Sequence, residues 1–170
     1  MPDLWSARNS WIGPMARAAR RKTRLDDWVI LTVEVTGFDL GISYSTTKPL
    51  PWRLVPWSQY ADLTLVGRAM DFDYKGISAV ELSVNLDESL SDPGQQARLR
   101  DEPMKSVGSL EIRSDRLNVY LSVPHDVFQH SCTLALSGKP IWAQLTFARI
   151  QRRKALVTSF SLNTDRRHYE

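Results

Sequence analysis

The chain of 170 residues contains a single cysteine, Cys132. Without a second thiol it forms no internal disulfide, the bridge on which small secreted domains usually rely, so a reducing compartment and a cytoplasmic location are expected. No apolar run approaches the length of a bilayer span, so no transmembrane segment is expected. The N-terminus also lacks the continuous apolar core of a secretory signal. Glycine patterns that cradle phosphates are missing, since neither G-x-G-x-x-G nor G-x-x-x-x-G-K occurs. G-x-S-x-G, the context of serine-based acyl transfer, is missing too. There is no repeat of fixed period and no low-complexity tract, which excludes solenoid and propeller arrays.

What is present belongs to a folded domain. The composition is 42% hydrophobic and 24% charged, and the length suffices for one sizeable core with an additional segment. The formal net charge of +3 hides an asymmetry. Residues 1–24 carry six Lys or Arg and one Asp, whereas the other 146 residues carry 16 basic and 18 acidic side chains. Basicity therefore belongs to an N-terminal arm, and the body alone gives no electrostatic case for a polyanion.

Residues 1–27 form that arm. Trp5, Trp11, Ile12 and Met15 supply apolar anchors, while Gly13 and Pro14 break any helix begun before them. On a helix, Arg17, Arg20, Arg21 and Arg24 fall at i, i+3, i+4 and i+7 and make one basic stripe. Such a stripe suits phosphates, an anionic membrane surface or an acidic partner. A solvated terminal extension explains the same residues, and their Arg-rich, acid-poor composition is also that of an organelle presequence.

From Trp28 the pattern turns β-like, and residues 28–165 are expected to form one domain, followed by a polar tail over 166–170. The clearest stretch is 107–123. With Ser114 and Asp115 as a two-residue turn, Ile112 faces Leu117, Leu110 faces Val119 and Gly108 faces Leu121, which gathers the apolar residues on one face. Val107 and Tyr120 are the exceptions. Residues 28–35 and 40–47 read as two strands joined across Thr36, Gly37, Phe38 and Asp39. Residues 63–74 and 77–86 make a second hairpin if Lys75 and Gly76 turn it, bringing Arg68 near Glu81. In both strands of that hairpin the two faces are partly apolar, so it is expected to be covered on both sides.

Between these hairpins Asp92, Pro93 and Gln95 have the form of a helix start, predicting a short polar helix over about 93–101. A helical turn is expected over 124–131, and strands over 132–137, 141–150 and 155–163. With Arg152 and Arg153 in the last reversal, Leu145 faces Phe160, Phe147 faces Thr158 and Ala143 faces Leu162. The expected fold is all-β: a single antiparallel β-sandwich or barrel of eight or nine strands, with one short helix in a loop and a basic N-terminal arm.

Constellations with chemical potential are few. Asp71 and Asp73, at i and i+2, point from one strand face about 7 Å apart, a spacing for a shared cation or for acid and base roles in glycoside hydrolysis. No third carboxylate follows, and solvation of a hairpin tip accounts for the pair. His125, His130 and Cys132 have metal-ligand types but supply three ligands at most, where structural zinc takes four. As a nucleophile pair they lack an orienting third group. Neither a catalytic residue, a metal nor a cofactor is therefore assigned. Trp52, Trp57 and Tyr60 surround a proline-rich segment, 48–57, and offer an aromatic surface for a sugar or peptide, although such tryptophans more often plug a sandwich end. Arg149, Arg152, Arg153 and Lys154 sit at one reversal and suit phosphate contacts, without the interleaved aromatics of single-strand binding.

These features favour a non-enzymatic intracellular binding or assembly subunit. Trp5 and Trp11 would anchor a protein partner or a second copy of the chain, while Arg17, Arg20, Arg21 and Arg24 pair with its acidic groups. The alternatives are a nucleic-acid-binding protein using the arm with residues 149–154, and a sugar- or peptide-active hydrolase or lectin-like module.

Overall fold

A computed structural model describes residues 28–46, 57–72, 74, 76–101 and 106–165. Seven strands close into a barrel in the order β1-β2-β3-β5-β4-β7-β6. They are β1 (Trp28–Thr46), β2 (Trp57–Ala69), β3 (Ala79–Leu86), β4 (Gly108–Arg113), β5 (Arg116–Val123), β6 (Ile141–Ala148) and β7 (Lys154–Asn163). Of the expected sandwich or barrel it is the barrel that forms; among the described residues the corrections to the expected architecture are seven strands rather than eight or nine, one parallel pair in the sheet and two α-helices rather than one. The basic arm and the proline-rich segment lie outside the described residues.

Alternation explains the core. Leu31, Val33, Leu63, Leu65, Leu82, Val84, Leu110, Leu117, Val119, Leu145 and Phe147 are fully buried, each on the inward face of a strand of period two. Each such side chain contributes about 1.5–3 kcal/mol by leaving water. The hairpin of β4 and β5 has the register the sequence predicts, with Ile112 opposite Leu117, Leu110 opposite Val119 and Gly108 opposite Leu121.

Strand count falls because β1 is one strand of 19 residues. Its register against β2 shifts between Val35 and Gly37, so Thr36 is the extra residue of a bulge and not part of a turn. Bending there lets the first part of β1 pair with β6, from Trp28 opposite Ala148 to Val35 opposite Ile141, while the second part continues along β2. Gly67 faces Val35 across the bulge, and a Cβ at Gly67 would collide with the Glu34 carbonyl oxygen.

Four further expectations are corrected. Residues 132–137 are not a strand: α2 (His125–Leu136) is a 12-residue helix that buries Phe128, Ser131 and Ala135. Those residues, with Cys132, recur at helical spacing, and packing of that stripe against the barrel overrides the β-like alternation of the segment. In the second hairpin the tip closes at Tyr74 and Ile77 as expected, but Leu65 pairs with Leu82, where an uninterrupted ladder from that tip would pair it with Leu86. Ladder pairing from β2 ends near Ala69, whose N–H donates to Ser78 O at 2.8 Å, and Phe72 turns onto the core, edge-on to Phe147 at 5.7 Å between ring centroids. The displacement is an even number of residues, so the residues of the ladder keep their faces, whereas beyond its end Phe72 and Tyr74, in phase with outward Val66 and Met70, pack against the core instead. Outward Val66 and Met70 are exposed among the described residues, so this hairpin is not covered on both sides there. Finally, Arg68 lies opposite Ala79, and Glu81 pairs instead with Arg116 at 2.8 Å.

The helix α1 (Pro93–Asp101) forms as expected, with the Asp92 carboxylate accepting from Gln95 N–H at 2.9 Å. A single 3₁₀ turn, Glu88–Ser91, precedes it. In the last hairpin Leu145 opposes Phe160 and Ala143 opposes Leu162, but a bulge between Thr146 and Phe147 sets Phe147 against Val157 rather than Thr158. One pair, β3 with β5, is parallel. Its long connection, residues 87–115, passes through α1 and β4 before returning, as a parallel pair requires.

Two substitutions test this packing. Leu82→Ala should lower stability by about 2–5 kcal/mol, and Gly67→Ala by about 1–3 kcal/mol, because the bulge beside it has no room to retreat. Urea unfolding of each variant checks both, and a Gly67→Ala as stable as the parent would contradict the close approach of β1.

Candidate functional site

The parallel pairing of β3 with β5 determines where the connections lie. The reversals joining β2 to β3, β4 to β5 and β6 to β7 all fall at one end of the barrel. The 3₁₀ turn, α1 and α2 follow the strand ends at the opposite end, where α2 packs on β2, β3 and β7. The barrel thus has a helix-covered end and a turn-bearing end.

Trp28, where the basic arm joins the barrel, pairs with Ala148 at the turn-bearing end. Arg149, Arg152, Arg153 and Lys154 follow Ala148 directly and occupy the reversal into β7. The attachment point of the arm and the second basic group are therefore together. Arg17, Arg20, Arg21, Arg24, Trp5 and Trp11 themselves lie outside the described residues. Arg149, Arg152 and Arg153 are exposed and make no ion pair among the described residues.

Arg152 and Arg153 adopt φ angles of 50° and 68°. Positive φ at both central positions is what a two-residue hairpin turn of the I′ type demands, and Asn or Gly meets it with least strain. An L-residue with a Cβ pays about 1–2 kcal/mol at each such position. Ser114, with φ 49°, repeats the situation in the neighbouring turn, and Gly76, with φ 76°, serves the third. These turns flank an open cavity of about 430 Å³ lined by Tyr74, Gly76, Ile77, Ile112, Ser114, Asp115 and Arg153. Each reversal is legible in the sequence as a turn. Their convergence is not, because it depends on strand order.

Lys154 behaves differently from the arginines before it. It reaches the Glu111 carboxylate at 3.5 Å, and Arg113 donates to the same group from Nε at 3.0 Å and Nη2 at 2.9 Å. The Arg113 hydrogen bond, helped by the Lys154 charge, holds the Glu111 carboxyl below its ordinary value and raises the Arg113 guanidinium in turn. Arg113 also lies 5.9 Å from the Tyr120 ring centroid. Asn118, between Glu111 on β4 and Glu81 on β5's other neighbour, is buried and leaves its Nδ2 without a hydrogen-bond partner. This outer row is an ion-paired sheet surface whose carboxylates are already engaged.

Other predicted constellations do not assemble among the described residues. His125 and His130 are exposed on α2, the latter with Nδ1 2.7 Å from Asp126 O, and no group of three metal-ligating side chains occurs there. Cys132 is partly buried, which pushes its thiol above the ordinary value and keeps it protonated and weakly nucleophilic. Asp71 is exposed beyond β2, and Asp73 lies outside the described residues. Tyr60 is exposed near the start of β2, far along the barrel from the basic reversal, and its hydroxyl donates to Asn85 Oδ1 at 3.1 Å. Trp52, like the Trp57 side chain, lies outside the described residues. No helix among them is long and apolar enough to cross a membrane.

Because the folded-state Glu111 pKa is depressed, its contribution to stability is complete above the unfolded carboxylate value and disappears as pH falls through the folded one. Glu111→Gln should therefore flatten the decline of Tm between about pH 5 and 3, measured by thermal scans; an unchanged slope would exclude the coupling. Native Cys132 should react with iodoacetamide more slowly than the urea-unfolded chain, read by mass spectrometry. Compared with known proteins, the chain matches no family model, no curated protein and no solved structure.

Proposed function

We propose that the chain is a non-enzymatic binding or assembly subunit whose N-terminal arm and turn-bearing barrel end together capture an acidic protein partner. The observation that carries this reading is the junction at Trp28 beside Ala148, next to three arginines without ion-pair partners among the described residues. The chain's basicity is thereby concentrated where the arm begins, although the remainder of the body is not basic. In this mechanism Trp5 and Trp11 fill apolar pockets of the partner. Arg17, Arg20, Arg21 and Arg24 engage its carboxylates, and Arg149, Arg152 and Arg153 extend the contact onto a rigid surface. The closed barrel supplies that rigidity.

A second reading has the same residues contact nucleic-acid phosphates, and the same unpaired arginines favour it. It requires affinity that falls steeply with salt and depends little on base sequence.

Full-length protein carrying Arg17, Arg20, Arg21 and Arg24 all changed to Glu, and separately Arg149, Arg152 and Arg153 changed to Glu, separates these readings. Each variant should keep the parent circular dichroism spectrum and lose capture of one defined protein assembly from host lysate at least tenfold, with or without nuclease. Capture abolished by nuclease would transfer the reading to nucleic acid. Unchanged capture by both variants would overturn the role of the basic end.

A further inference from the structure

We propose that the cavity at the turn-bearing end binds a free apolar α-amino acid, with the ligand carboxylate on Arg153, its ammonium group on Asp115 and its side chain against Tyr74, Ile77 and Ile112. This site is separate from the arm and does not rest on the partner-binding reading.

The first support is shape and lining. At about 430 Å³ the open cavity falls within the range of small-molecule sites, and its lining combines Tyr74, Ile77 and Ile112 with Ser114, Asp115 and Arg153. The second is charge. Neither Arg153 nor Asp115 forms a salt bridge or side-chain hydrogen bond among the described residues; the three ion pairs found there involve Glu81 and Glu111. Among the described residues one cation and one anion thus line the same space without an ion pair between them. A zwitterion complements both, whereas a phosphate dianion would meet Asp115 unfavourably. The apolar wall then selects for a side chain, which excludes glycine as a good ligand.

The third support is backbone conformation. Gly76, Ser114 and Arg153, from three different turns, all have positive φ and all line this cavity. Gly76 is the residue such a position favours. At Ser114 and Arg153, Gly or Asn would hold the turn with less strain, so the turn itself does not account for a hydroxyl and a guanidinium there. A strained residue in a cleft points to a role for its side chain.

Calorimetric titration of the full-length protein with L-phenylalanine and L-leucine tests the proposal. The comparison ligands are phenylalaninamide, 3-phenylpropionate and glycine, which lack the carboxylate, the ammonium group and the side chain respectively. The two amino acids should bind saturably, and each comparison ligand at least tenfold more weakly. Arg153→Gly relieves the left-handed strain, so its Tm should rise while affinity for L-phenylalanine falls at least tenfold, a combination that unfolding cannot produce. Asp115→Asn keeps a turn-forming residue and should lose affinity similarly. Absence of saturation by either amino acid up to about 10 mM, equal binding of any comparison ligand, or unchanged affinity in both variants would overturn the proposal.

Discussion

Closure of the barrel through β1 is the constraint on which the other features depend. A sheet of seven strands has two edges unless its first and last strands meet, and an open edge exposes a row of unpaired backbone groups. Here β1 serves both neighbours, pairing with β6 along its first part and with β2 along its second. Closing a sheet on itself makes its strands tilt and coil. The Thr36 bulge supplies the bend, and Gly67 leaves space for the Glu34 carbonyl where the two strands draw closest. The inward faces then converge on one core around Phe147, and Phe72 comes down onto that ring.

Closure also sorts the connections. Around a closed sheet, inserting β4 between β5 and β7 leaves β3 and β5 parallel, and their long crossover must run over one end. That end receives the helices. The short reversals are left at the other, where they form a rim of exposed polar and charged turns around an apolar floor. Helix packing seals one end with Phe128 and Ala135, whereas short turns cannot cover a barrel mouth. The cavity lies among these turns.

The sequence made some of this legible and concealed the rest for physical reasons. Strict alternation and a two-residue turn specify the register of β4 and β5, because any slip by one residue exposes Leu110 and Leu117. Alternation specifies faces but not longer displacements, so the paired part of the second hairpin kept its faces while its register moved, and beyond the ladder Phe72 and Tyr74 left the outward face for the core. Thr36 and Gly37 resemble a turn because bulges and turns draw on the same residues; only the demand for closure distinguishes them. Residues 132–136 alternate like a strand, and the helical stripe that prevails is carried partly by small residues, Ser131 and Ala135, whose apolar signal is weak. For the site, the basic reversal and the turn at Ser114 were legible as separate features. Their meeting in one cavity follows from hydrogen bonds between strands distant in sequence.

Two groups of cations near the turn-bearing end differ in what they already do. Arg113, Arg116 and Lys154 are engaged with Glu111 and Glu81, so their charges stabilise the outer sheet surface and are largely neutralised there. Arg149, Arg152 and Arg153 have no such partners among the described residues, and two of them sit in backbone conformations that penalise any side chain. Solvation alone explains exposed charge, but it does not explain consecutive arginines where Asn and Gly would hold the turn at lower cost. Repulsion between like-charged neighbouring guanidinium groups adds to that cost in the free molecule, and carboxylates brought near them would offset it. In the two proposed roles the same rim thus serves recognition on two scales: its outward charge for a large acidic partner, and Arg153 with Asp115, which line the same cavity, for a small zwitterion.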